Sequence, residues 1–233
     1  IDIEVTGGKE PYKYRWSNKA VTQDLKSLQA GTYDVLVTDA NGCSGKLETR
    51  ISEPSKLILT ENIVKNVDCN GNSTGSISLS AAGGVTPYKY RWNSGDSVLN
   101  INNKKAGSYS LRLTDANGCT TQFSKVLSEP AKVTKSVVSV ANNLCFGESK
   151  GAVDIQVAGG VAPYSYRWSN GAITQDISNL RAGRYAVLIR DANGCVDSLS
   201  STVVENPQLT STVNATNIAC YGQKSGAVDL SIS

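Results

Sequence analysis

The stretch GGVTPYKYRW, Gly83–Trp92, decides how the rest of this sequence is read, because it occurs three times. It stands as GGKEPYKYRW at Gly7–Trp16 and as GGVAPYSYRW at Gly159–Trp168, each copy starting 76 residues after the one before. Outward from it, a second signature keeps the same interval: DANGC at Asp39–Cys43, Asp115–Cys119 and Asp191–Cys195. A third is looser, a Cys-x-Gly turn leading into an apolar alternation: CNGNSTGSISL from Cys69, CFGESKGAVDI from Cys145 and CYGQKSGAVDL from Cys220. Three signatures in step describe one structural unit repeated in tandem. The repeats are expected at residues 1–53, 54–129, 130–206 and 207–233. The first and last copies read as truncated, so the sequence is expected to be an internal piece of a longer chain.

Within the signature, Tyr88, Tyr90 and Trp92 alternate with Lys89 and Arg91, so three rings share one face of a strand and two cations the other. Tyr12, Tyr14 and Trp16, and then Tyr164, Tyr166 and Trp168, repeat the pattern, with Arg15 and Arg167 facing outward as Arg91 does. Upstream, Leu57–Val67 reads as a first strand, and SISLS places Ile77 and Leu79 on one face of the next. Downstream, a polar link, clearest at Ser169–Leu180, leads to a strand on which Tyr109, Leu111 and Leu113 share a face. Asn117-Gly118 then supplies the positive φ angles of a tight hairpin, and Glu129-Pro130 ends the repeat. The Gly-x-Tyr openings at Tyr33, Tyr109 and Tyr185 fit a tyrosine corner, whose ring hydrogen-bonds back to the preceding turn. No segment sustains a helical period. About six or seven short strands per repeat predict an all-β fold: tandem immunoglobulin-like antiparallel sandwiches.

Charge is nearly balanced, 23 Lys and Arg against 20 Asp and Glu, with no basic block of the kind that binds nucleic acid. No apolar run approaches the length of a membrane-spanning helix. Histidine is absent, which removes His-based acid–base catalysis, His-dependent nucleophilic triads and histidine metal sites. The recurrent carboxylates Asp39, Asp115 and Asp191 open hairpin turns, where an Asp caps turn amides. No segment has the ligand spacing of a calcium loop. The sequence therefore predicts no catalytic residue, no metal and no cofactor.

The aromatic trios admit two readings, a core strand or a platform on which sugar rings stack. Phenylalanine occurs only twice, so Tyr and Trp must supply much of the buried area of so small a repeat, and the core reading is preferred. The cysteines, two per repeat with no CxxC pair, point to disulfides and an oxidising, exported setting. Two repeating pairings are open. Bonds within a repeat, Cys69–Cys119 and Cys145–Cys195, each enclose 50 residue steps and leave Cys43 and Cys220 to pair outside the sequence. Bonds between neighbours, Cys43–Cys69, Cys119–Cys145 and Cys195–Cys220, use all the cysteines but need a chain reversal near the proline. The pairing within a repeat is the one expected here.

These residues closely resemble the SprB repeat, named after the surface adhesin of gliding Bacteroidota, whose pattern runs from Gly-Gly through Pro-Tyr-x-Tyr-x-Trp-Ser-Asn-Gly and Leu-x-Ala-Gly-x-Tyr to Asp-Ala-Asn-Gly-Cys. Gly159–Cys195 matches it almost throughout; the first copy has Lys19 where the pattern has Gly, and the middle copy lacks Thr-Gln-Asp. A weaker similarity to PKD domains lies in the Tyr-x-Trp and Gly-x-Tyr strands. The resemblance implies a large extracellular protein exported by the type IX secretion system, attached at the outer membrane and carried by the gliding machinery. On that reading the chain is a structural stalk whose partners are neighbouring repeats, with surface polysaccharide or substratum engaged by other regions. A carbohydrate-binding module and a spacer in a secreted enzyme are the alternatives.

Overall fold

The computed structural model describes residues 1–233 as seventeen β-strands, with no helix. In chain order they are β1 (Lys13–Trp16), β2 (Gly31–Thr38), β3 (Ser44–Ile51), β4 (Ile58–Lys65), β5 (Gly75–Ala82), β6 (Lys89–Trp92), β7 (Ile101–Lys104), β8 (Gly107–Thr114) and β9 (Thr120–Leu127). They continue with β10 (Thr134–Ala141), β11 (Gly151–Ala158), β12 (Ser165–Trp168), β13 (Ile177–Leu180), β14 (Gly183–Arg190), β15 (Val196–Val203), β16 (Ser211–Thr216) and β17 (Ala227–Ile232). Each strand from β10 to β15 starts 76 residues after its counterpart from β4 to β9, so the sequence period is also the period of the fold. Two compact bodies form. The first comprises Ile1–Thr60, Ala81–Arg91 and Arg112–Gln122, and the second Glu61–Ser80, Trp92–Leu111 and Phe123–Ser233.

The second body holds a full set of six strands in two three-stranded sheets, β10-β11-β13 and β12-β14-β15. All ladders are antiparallel: Val153 of β11 lies opposite Ile177, Trp168 of β12 opposite Val187, and β14 pairs with β15 along its whole length. The pleat explains the burial. Val153 and Ile155 face inward while Asp154 and Gln156 face solvent, the two-residue alternation of a half-wet strand. Facing them across the sandwich are Trp168, Val187, Ile189 and Val203, with Ile177 and Leu180 completing the core. Burial of each such aliphatic side chain stabilises the fold by about 1.5–3 kcal/mol. Two facing three-stranded antiparallel sheets around one core are an all-β, immunoglobulin-like sandwich.

Ile177–Leu180 departs from the sequence expectation, which had a polar link there. It is the strand β13, and its two apolar residues are buried. They are three apart, with Asn179 at a φ of 58° between them, so no two-residue alternation marks the strand. Its approach is clamped by Thr174-Gln175-Asp176. Asp176 Oδ1 accepts the Ile155 amide at 2.9 Å, and Gln175 Nε2 donates to the Ile155 carbonyl at 2.6 Å. Thr22-Gln23-Asp24 does the same for Ile3 in the first body. In the middle copy only the acceptor survives, Asn100 Oδ1 taking the Leu79 amide.

The first body carries the sheet β1-β2-β3 over a smaller core of Ile3, Trp16, Leu25 and Val35. The tyrosine corner forms in all three copies that contain its tyrosine, each hydroxyl donating to the carbonyl four residues back: Tyr33 to Gln29, Tyr109 to Lys105 and Tyr185 to Arg181, at 2.9–3.0 Å. Tyr185→Phe removes one such bond and little packing. It is expected to cost about 1 kcal/mol in a denaturant titration.

Candidate functional site

Each repeat has two chemically distinct ends, and the recurrent polar residues build them. At one end the DANGC aspartate caps its own hairpin and reaches the Gly-Gly turn. Asp115 Oδ1 accepts the amides of Asn117 and Cys119 at 3.0 and 2.8 Å, while Oδ2 accepts that of Val85 at 3.0 Å. Asp191 takes the amides of Cys195 and Val161, and Asp39 those of Cys43, Asn41 and Lys9. These amides, foremost that of Val85 for Asp115 and that of Cys43 for Asp39, hold both carboxyls below the ordinary value of 3.8. A depressed carboxyl stabilises the fold above its unfolded pKa, and the contribution disappears as pH falls through the folded value. Thermal unfolding is therefore expected to move to lower temperature as pH drops below about 4, and Asp115→Asn to flatten that dependence.

The Gly-Gly turn receives the linker between repeats. Gly160 N donates to the Ala131 carbonyl at 2.8 Å, as Gly84 N does to Ser55 at 2.7 Å. Gly159 has a φ of 74°, and a Cβ there would lie 2.0 Å from the Lys132 carbonyl oxygen, so only glycine lets the linker approach. The aromatic signature braces this turn from below, because Tyr12, Tyr88 and Tyr164 donate to the carbonyls of Gly7, Gly83 and Gly159. At the other end, the Cys-x-Gly turn closes onto the residues that end its own repeat. Glu129 accepts from Gly71 N at 2.7 Å and from Asn70 Nδ2 at 3.0 Å, and Glu205 accepts from Gly147 N at 2.8 Å.

In the second body these two kinds of end meet in a cleft of about 360 Å³, whose lining includes Cys69, Asn70, Lys132, Gly160, Asp191 and Cys195. Cys69 and Cys195 form a disulfide with Cα atoms 5.7 Å apart, and Asn193 Nδ2 donates to the Asp68 carbonyl at 2.8 Å beside it. This corrects the expected pairing. Neither Cys69–Cys119 nor Cys145–Cys195 forms, nor does any bond of the neighbour series; Cys43, Cys119, Cys145 and Cys220 are free and exposed. The reason is the separation of the ends: Glu205 holds the Cys145 turn at the close of the repeat, and Asp191 holds Cys195 beside its opening linker. The first body presents the matching cleft, also about 360 Å³, lined by Glu53–Leu57, Gly84, Asp115 and Cys119–Thr121, with Cys119 where Cys195 stands in the other.

The aromatic trios run from rim to core. Trp16, Trp92 and Trp168 are 2–3% exposed, and each indole N–H donates to a carbonyl six residues on. The tyrosines are half-buried, and Arg15, Arg91 and Arg167 face solvent. Trp92 also meets Phe123 edge to face, with ring centroids 6.5 Å apart. A wider open groove of about 1220 Å³ runs beside β1, bordered by Tyr12, Tyr14, Leu36 and the Asp34–Lys46 pair. No group of three or more His, Cys, Asp or Glu side chains converges in the arrangement that holds a metal ion.

The SprB repeat family model matches residues 62–97 and 137–173, which run from the first strand of a repeat through the Cys-x-Gly turn, past the Trp, and stop short of DANGC. No curated protein matches the sequence. Among solved structures, the eight N-terminal Ig domains of Down syndrome cell adhesion molecule align at 13% identity over 84% of this chain and 33% of that one, with a TM-score of 0.45. Three N-terminal domains of the outer capsid protein Hoc of bacteriophage RB49 align at 15% identity over 76% and 69%, with a TM-score of 0.40. Sidekick-1 immunoglobulin domains 1–4 align at 14% identity over 84% and 68%, with a TM-score of 0.33. The chain spans about a third of the length of the first of these. By sequence match and by the period of its strands, this is a tandem, immunoglobulin-like chain that carries the SprB repeat at two places.

Proposed function

We propose that the chain is a stalk segment of a large cell-surface adhesin, built from repeats at 54–129 and 130–206 with partial copies on either side. The observation that carries this reading is the Cys69–Cys195 bond, which fastens the closing end of one repeat to the opening end of the next. Such a link passes tension from one repeat to the next through a covalent bond, which suits a load-bearing array. Stability in such arrays is a sum of repeat and neighbour terms, so length grows without a new core. The chain works without catalysis, and its immediate partners are neighbouring repeats. In the finer form of the proposal the parent is a gliding adhesin exported by type IX secretion and held at the outer membrane, with a distal region meeting polysaccharide or substratum. Against a carbohydrate platform stand the three tryptophans, whose faces are buried.

Live-cell imaging with a fluorescent antibody fragment raised against residues 130–206 tests this reading. Spots that travel along the cell support the gliding adhesin. Static surface spots keep the stalk and remove gliding, and label found only in the medium contradicts a surface stalk.

A further inference from the structure

The bonded cysteines are related by a register that the free ones share. Cys69 belongs to the Cys-x-Gly turn of one repeat and Cys195 to the DANGC hairpin of the next, 126 residues on. Cys119 stands in a cleft of the same size as Cys195, with Leu57 for Val133, Lys56 for Lys132, Gly84 for Gly160 and Asp115 for Asp191. Cys145 sits on a turn held by Glu205 as the Cys69 turn is held by Glu129. Both free thiols are exposed. Two halves of the same joint are thus presented, each without its other half.

We infer that the joint recurs at every step of the array: Cys145 and Cys220 bond the DANGC cysteines of repeats that follow, and Cys43 and Cys119 bond the Cys-x-Gly cysteines of repeats that precede. The partner is a repeat of the same kind, which brings its own linker, Gly-Gly turn and capped hairpin to the cleft. Formation is thiol–disulfide exchange. Two thiols lose two protons and two electrons, one S–S bond forms, and a disulfide oxidant such as oxidised glutathione is reduced to two thiols.

The mechanical consequence follows from the register alone. From a bonded Cys-x-Gly cysteine the covalent path crosses to the next hairpin, then needs only 26 residues, as from Cys119 to Cys145, to reach the turn of the repeat after that. Two repeats are thus spanned by a thread that extends to roughly 90 Å. Without the bonds their 152 residues extend to roughly 520 Å at about 3.4 Å per residue. Two such threads, offset by one repeat, run in parallel, so unfolding a repeat releases almost no length. The inference rests on the tandem-array reading and is independent of what the array is attached to.

The test is to lengthen the full chain by a second copy of residues 130–205 inserted after Glu205, the inserted copy carrying Cys145→Ser and marked by Val196→Ile so that only the original Cys145 remains, and to map its disulfides after refolding in glutathione buffer. The expected result is a Cys69–Cys195 peptide, a second peptide joining Cys145 to the marked hairpin, and loss of Cys145 reactivity toward iodoacetamide. Cys145 that stays reactive, or that is joined to the unmarked hairpin of its own repeat, overturns the inference. Should the lengthened chain not fold, the same map on the unaltered chain decides. Cys69–Cys195 with Cys43, Cys119, Cys145 and Cys220 all alkylated supports the register, and Cys69–Cys119 with Cys145–Cys195 refutes it.

Discussion

Cys69→Ser is expected to lower the unfolding free energy of the second body by about 5 kcal/mol. The bond closes a loop of 126 residues, and the chain-entropy relation gives that figure for a loop of this length. Cys195→Ser should cost the same, and the double variant no more than either single one, because both remove one bond. Cys119→Ser and Cys145→Ser should stay within about 0.5 kcal/mol of the parent, since both side chains are exposed and unbonded. Guanidinium titrations of the five variants check this, and reductant should bring the parent down to the level of Cys69→Ser. A cost at Cys119 equal to that at Cys69 would restore the pairing within a repeat.

The second large effect belongs to the core. Trp168→Ala should destabilise its sandwich by about 3–5 kcal/mol. The ring is 3% exposed among Val153, Ile155, Val187 and Val203, and its N–H is bonded to the Thr174 carbonyl at 2.9 Å. Truncation leaves a cavity and an unpaired acceptor at once. Trp168→Phe should fall between, because it refills most of the space and loses the hydrogen bond. Arg167→Ala, one residue away on the solvent face, should stay within about 0.5 kcal/mol. Were the aromatic strand a sugar platform, Trp168→Ala would abolish binding and leave stability unchanged; circular dichroism melts separate the two outcomes.

The strands and the hairpins were legible in the sequence, because each rests on a local rule. Two-residue alternation marks β5, β8 and β14, and Asn-Gly marks the hairpins that leave β8 and β14. The tyrosine corner is a four-residue contact, so its Gly-x-Tyr signature sufficed. What escaped depends on contacts distant in sequence. β13 has two inward residues three apart and a left-handed Asn179, and it becomes a strand only by lying against β11. The disulfide escaped for a related reason. Which cysteines meet depends on where the ends of a repeat fall, and that is decided by Glu129 binding Gly71 and Asp191 binding Val161. The clue available was the strand order itself: a sandwich puts the first turn and the last hairpin at opposite ends, which disfavours bonding them within one repeat.

The most direct test of a tension-bearing array bonded from repeat to repeat is to pull the full chain by its termini in a force spectrometer, oxidised and then reduced. The bond hides the 126 residue steps between Cys69 and Cys195, so the oxidised chain should reach a contour length shorter than the reduced one by roughly 430 Å. Equal lengths in both states, or a shortfall built from steps of roughly 170 Å, the length of a loop within one repeat, would contradict the account.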